Sequence, residues 1–132
     1  MKDLKEFFKG DRFAARSGAE LLEVGEGYAV ARMEVTDDHL NGGQVCQGGA
    51  LFTLADLAFA AAVNSHRRLT FSTTSTITFV SSVRKGSVVT AEAREVVNHP
   101  RMPYAEVRLT DEAGRIVAVF TSSGYRKDVS IG

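Results

Sequence analysis

From Ala50 to Val63 every position is apolar except Thr53 and Asp56, and the run is rich in Ala and Leu. That content favours helix over strand, and the run is longer than most strands. A helix apolar on nearly every face must be enclosed on nearly every side. The pattern therefore predicts one central helix with the rest of the chain packed around it.

The flanking segments have other periods. Leu4, Phe7 and Phe8 fall at helical spacing before Gly10, which predicts a short amphipathic helix covering an edge of the core. The runs AELLEV and YAVARMEV, joined by GEG, predict a β-hairpin in which Val30, Met33 and Val35 alternate imperfectly with polar residues. After the helix, TFSTTSTITFVSSV, SVVTAEAREVV, YAEVRLTD and RIVAVFTSSGYRK are dense in β-branched residues. RKGS, NHPRMP and DEAGR separate them and are turn-like. Strands joined by short turns pair antiparallel. The expected class is α+β, an antiparallel sheet with one face curled around the long helix, as a single domain over residues 1–132. The C-terminal DVSIG is expected to be loose.

A chain of 132 residues, 44% hydrophobic, is the size of one domain with a core around one long element. Sixteen basic residues balance sixteen acidic ones, so no overall field gathers nucleic acid or anionic membrane, and neither is an expected partner. Cys46 is the one cysteine, which excludes an internal disulfide. The N-terminal MKDLKEFFKGD mixes charge with phenylalanine where a secretory signal needs an unbroken apolar region, so the cytoplasm is the expected location. The apolar run looks too short to span a bilayer and is broken by Asp56.

Asp56 and the glycines ahead of the helix carry the chemistry. Gly48 and Gly49 precede the helix, where first-turn N–H groups lack helical partners and a ligand can approach unobstructed. Such an end favours developing negative charge and would serve as an oxyanion hole for an acyl carbonyl. Asp56 lies eight residues beyond Gly48, or about 12 Å along a helix rising about 1.5 Å per residue. A water held by Asp56 cannot reach a carbonyl held at the start of the same helix. Two copies with antiparallel helices resolve this, because each places its Asp56 beside the Gly48 end of the other. A carboxylate in an apolar site loses solvation, which raises its pKa and makes it a better general base.

The stretch NGGQVCQGGALFTLADLAFAAAVNS resembles the signature of hotdog-fold acyl-CoA thioesterases of the phenylacetate-pathway, PaaI-like type, and the resemblance extends over the whole chain. It implies hydrolysis of an acyl-CoA thioester by a homodimer or homotetramer, with coenzyme A entering as part of the substrate and no bound cofactor. By that resemblance Asp56 matches the catalytic carboxylate, as general base or nucleophile. Gly48 matches the amide that polarises the thioester carbonyl, and Asn41 a side chain that positions water or substrate. A serine on the strand after the helix orients the water in related enzymes. Ser72 is the nearest match here, with Thr73 and Thr74 as substitutes. Gln47 stands where the family usually has histidine; it can donate a hydrogen bond but carries no charge at neutral pH. The family leans toward aryl-acetyl or short to medium acyl groups.

Plainer readings compete. Asp56 could cap a shorter helix from Leu57 to Val63, Gly42-Gly43 reads as loop, and Cys46 as a small core residue, since no local pattern joins it to His39 or His66. The histidines lack metal-ligand spacing, so no metal is expected. Arg67-Arg68, Arg84-Lys85 and Arg126-Lys127 read as solvated pairs at element ends, with Arg84 and Lys85 the candidates to meet the coenzyme A phosphates. Tyr28, Phe52, Phe59, Phe71 and Phe79 read as core. A hotdog hydratase would want a histidine where Gln47 stands. A non-catalytic acyl-CoA binding module would have no need of a buried Asp56.

Overall fold

The computed structural model describes residues 3–132. The N-terminal segment forms two short helices, α1 (Leu4–Phe8) and α2 (Arg12–Arg16), where the spacing predicted one. Asp11 is the reason: its side chain accepts the Ala14 N–H at 3.0 Å and restarts the helix just past Gly10. Of the apolar trio only Leu4 is buried, while Phe7 and Phe8 are half-buried.

The hairpin is β1 (Glu20–Gly25) and β2 (Tyr28–Glu34), followed by the long helix α3 (Gly48–Val63). Then come β3 (Arg68–Phe79), β4 (Val88–Val97), β5 (Tyr104–Thr110) and β6 (Ile116–Ser130). They form one sheet in the order β1-β2-β4-β5-β6-β3, with every neighbouring pair antiparallel. The face toward α3 is floored with alanine. Ala29 and Ala31 of β2 pair with Ala93 and Ala91 of β4, and all are fully buried. α3 packs on these two strands, and its Ala55, Ala58, Ala61 and Ala62 are also fully buried. Small residues on both sides let helix and sheet approach closely. The buried alternation of β2 therefore runs Ala29, Ala31, Met33, Val35, and Val30 lies half-buried on the other face.

Through the 3-10 turn Asn64–His66, the apolar segment reaches 19 residues, which by length alone could cross a bilayer. Its packing on the sheet makes it the core helix instead, with Leu51, Leu54, Leu57, Phe59 and Val63 all buried. Arg126 stands at its end and is buried, not solvated. Its guanidinium donates to the Val63 carbonyl at 3.2 Å and to Asn98 Oδ1 at 2.7 Å, and it pairs with Glu95 at 3.8 Å. A buried cation suits the negative end of α3. DVSIG is not loose over most of its length, because β6 continues to Ser130, which pairs with Arg68. Arg68 and Arg101 both hold Asp128, at 2.8 and 2.9 Å.

Of the aromatics read as core, Phe59 is buried, Tyr28 and Phe52 are half-buried, and Phe71 and Phe79 are 54% and 52% exposed. Both exposed rings sit on β3, one of the two edge strands. A bulge between Ser72 and Thr74 interrupts this strand opposite Gly124. A Cβ on Gly124 would stand 2.8 Å from Thr70 Cγ2 and 3.1 Å from the Phe71 carbonyl oxygen. Gly124→Ala is expected to cost about 1–3 kcal/mol of stability by overpacking. A denaturant midpoint lowered at unchanged slope is the measurement that checks this; an unmoved midpoint would show that β3 yields freely.

Candidate active site

The start of α3 is built by Gln47. Its backbone is extended (φ −66°, ψ 139°) and its Oε1 accepts the Gly49 N–H at 3.0 Å as the helix cap. Gly49 has to be glycine for this cap, since a Cβ there would lie 2.5 Å from that oxygen. The cap also takes Gly49's amide out of use. Gly48's amide has no hydrogen-bond partner among the described residues and stays available at the positive end of the helix. Phe79 closes over Gly48, where a Cβ would lie 2.6 Å from its ring.

Asn41 organises the loop before the helix. Its Oδ1 accepts from the Gly43 and Val45 amides at 2.9 and 3.3 Å, which keeps Gly42-Gly43 a loop and leaves the Asn41 NH₂ as a donor. Asn41, Gln47 and Gly49 line a cavity of about 620 Å³ with Arg16, Asp38 and His39. His39 is structural. Its Nδ1 accepts the Thr36 amide at 2.9 Å, so Nε2 carries the proton and donates to the Ser17 carbonyl. Lys85 pairs with Asp37 at 3.1 Å, which brings the exposed Arg84-Lys85 turn beside this region. Cys46 is buried as a core residue, and burial pushes its thiol pKa up.

Asp56 sits in the body of α3, so it does not cap a shorter helix. It lines a separate groove of about 390 Å³ with Phe7, Phe8, Asp11, Phe59, Phe71 and Ser72. Its pKa is raised, first by burial and then by the negative charge of Asp11, while hydrogen bonding from Ser72 acts the other way. Thr73 and Thr74 do not line the groove. Past the bulge, the Thr73 hydroxyl turns to Ser123, 3.0 Å from its Oγ.

Within one chain, then, the predicted residues fall into two groups. The cavity holding Asn41, Gln47 and Gly49 shares no lining residue with the groove holding Asp56 and Ser72. Nor does the chain enclose α3 on every side. Gly49, Phe52, Thr53, Asp56 and Ala60, one face by their i, i+3, i+4 spacing, stay partly accessible while the other faces are buried. Sequence reasoning missed Asp11 and Arg16, which reach the two cavities from α2 and the residue before it. An aspartate directly after Gly10 was a legible cap signal.

Residues 38–118 match the thioesterase superfamily. The acyl-coenzyme A thioesterase PaaI of Escherichia coli is 33% identical over 119 residues, 90% of this chain and 85% of its own length. The crystal structure of the E. coli PaaI protein from the phenylacetic acid degradation operon superposes with a TM-score of 0.92, covering 96% of this chain and 92% of that one. A mutant of the phenylacetic acid degradation protein PaaI from Thermus thermophilus, 32% identical, superposes with a TM-score of 0.85, over 89% of this chain and all of its own. A six-stranded antiparallel sheet around one long helix is thus matched by thioesterases over most of its length: the chain belongs to the thioesterase superfamily, has the hotdog fold and is a thioester hydrolase.

Proposed function

We propose that the chain hydrolyses acyl-CoA thioesters as a homodimer, at two equivalent sites each assembled from both subunits. One observation carries the reading. The Gly48 amide stands at the start of α3, eight residues before Asp56, whose groove shares no lining residue with the cavity of Asn41, Gln47 and Gly49 beside that start, and the face of α3 that bears Asp56 is left uncovered by that chain. A second α3 laid antiparallel on that face covers it and brings each half to its complement. Gly49, Thr53 and Ala60 are small enough to permit close approach.

In such a site the thioester carbonyl oxygen points at the Gly48 N–H, which strengthens its hydrogen bond as charge moves onto oxygen. Asp56 of the other subunit takes a proton from water as the water oxygen bonds to the carbonyl carbon, or attacks that carbon itself. Ser72 orients the water. The C–S bond then breaks and the coenzyme A thiolate takes the proton that Asp56 removed from water; where Asp56 itself attacks, water next hydrolyses the acyl-Asp56 anhydride, freeing the acid and the carboxylate and supplying the thiolate's proton. Gln47, held as a cap, offers its NH₂ as a neutral donor, and the Asn41 NH₂ is a second. Arg84 and Lys85 are positioned to meet phosphates outside. The named activity and pathway of the PaaI relatives favour an aryl-acetyl or short acyl group. Free Cys46 suits a cytoplasmic setting, and pairs of dimers would form the tetramer.

Subunit mixing tests the shared site. An Asp56→Asn chain and a chain whose Gly48 amide is deleted are each expected to be inactive alone. After dissociation and random reassembly, each heterodimer regains one intact site, so about a quarter of the wild-type rate should return. No recovery in verified heterodimers would place both groups in one subunit's site and end the proposal.

A further inference from the structure

We infer that Asp11 is a positioning residue for hydrolysis: held at the start of α2 by the Ala14 N–H, it is the second carboxylate on the wall of the Asp56 groove and sets how readily Asp56 acts as the base. The inference rests on the shared-site reading given above, and deepens it by naming what sets the strength of the base.

The geometry is specific. Asp11 lies between the two short helices, and its carboxylate is pinned because one oxygen accepts the Ala14 N–H at 3.0 Å. It lines the groove together with Asp56, and Asn64, Thr70 and Ser72 are the other polar side chains there. α3 itself carries no other ionisable side chain. From β3 the groove receives Leu69, Thr70, Phe71 and Ser72, none of which titrates in the working range, and from α1 it receives Phe7 and Phe8. Asp11 is therefore the other ionisable group lining the groove among the described residues.

Lys127 of β6 lies 5.5 Å over the Phe71 ring and stays constant in the comparison below, while other charges nearby are engaged elsewhere. Lys5, Lys9 and Glu20 line the adjoining cavity on the far side of Asp11. Lys9 is bonded to Glu6 at 2.8 Å, and Lys5 donates to the Leu22 carbonyl at 3.3 Å. Beyond Asn64, Arg126 pairs with Glu95, and His66 bonds the same carboxylate at 2.8 Å. In the dimer the complementary cavity adds Arg16, Asp38 and His39, which stay constant in the comparison below.

A carboxylate at the same groove opposes the ionisation of Asp56. Asp56 must lose its proton to act, so Asp11 trades activity at low pH for a stronger base above it. The direction agrees with the raised Asp56 pKa, to which Asp11 contributes after burial.

Asp11→Asn keeps the cap, since Asn and Asp are equivalent there, and removes the charge. Two readouts are needed. The Asp56 carboxyl, followed by carbon NMR in the free enzyme, should titrate at lower pH in the variant. The acid limb of kcat/KM should move the same way, with relative activity below the limb rising several-fold and thermal stability unchanged. If neither moves, Asp11 only caps its helix and the inference is overturned. If the NMR titration moves and the rate profile does not, the coupling between the carboxylates stands and the role of Asp56 as rate-setting base falls. An Asp11→Ala variant that lowers stability without moving the limb beyond the Asn variant separates the cap from the charge.

Discussion

Asp56→Asn is expected to lower kcat on acyl-CoA substrates by about three orders of magnitude or more, the loss typical of removing a base or nucleophile, while the protein becomes no less stable. The substitution changes few atoms in the half-buried groove, so packing against Phe59 and Ala60 is kept. What changes is the cost of charge. The folded-state pKa of Asp56 is raised above its unfolded value, chiefly by burial. Between those two values the native state binds more protons than the unfolded one, so stability falls as pH rises through the window. An uncharged Asn escapes that loss. The variant should therefore match the wild type at acid pH and exceed it at neutral pH. Free-thiol release assays and melting curves at several pH values measure both halves of the claim. Near-normal turnover would remove Asp56 from the mechanism, and a variant less stable at neutral pH would mean that the carboxylate serves the fold.

Much of this was visible in the residues, for reasons that can be named. The apolar run predicted α3 because its Ala and Leu content favours helix and it is longer than most strands, and the turns between the later runs predicted an antiparallel sheet. The eight residues from Gly48 to Asp56 are too many for one helix to join them at one carbonyl, so their separation within one chain was legible from helical rise alone. Long-range effects were not legible. Arg126 looked like half of a surface pair because nothing local says that β6 carries it under the end of α3. Alanines 29, 31, 91 and 93 looked unremarkable because a hydrophobic pattern weighs large side chains, whereas close helix packing selects small ones. The capture of the Gly49 amide by Gln47 depends on one side-chain rotamer. Asp11 reaches Asp56 because the segment from α1 to the start of α2 folds back to line the groove with Phe7, Phe8, Gly10 and Asp11.

The Gly48 amide can be deleted with little disturbance, which makes its contribution measurable. Gly48 is the first residue of α3, the one helical position where proline is favoured. The residue before a proline must be extended, and Gln47 already is, at φ −66° and ψ 139°. The deleted N–H bonds to no described residue, so the fold loses no hydrogen bond. The remaining obstacle is the added Cβ, which would meet the Phe79 ring at 2.6 Å. Phe79 is half exposed, and Phe79→Ala clears the space at modest cost. In that background Gly48→Ala adds the Cβ and keeps the donor, whereas Gly48→Pro adds the Cβ and removes it. The alanine protein should retain most of the activity of the Phe79→Ala parent. The proline protein should lose about 10²- to 10³-fold in kcat, the range seen when one oxyanion donor is removed, with KM little changed because the bond strengthens mainly in the transition state. Equal rates for the two proteins would show that the carbonyl oxygen is held by other donors, such as the NH₂ groups of Gln47 and Asn41. A loss confined to KM would mean that the Gly48 amide binds the substrate without stabilising the transition state.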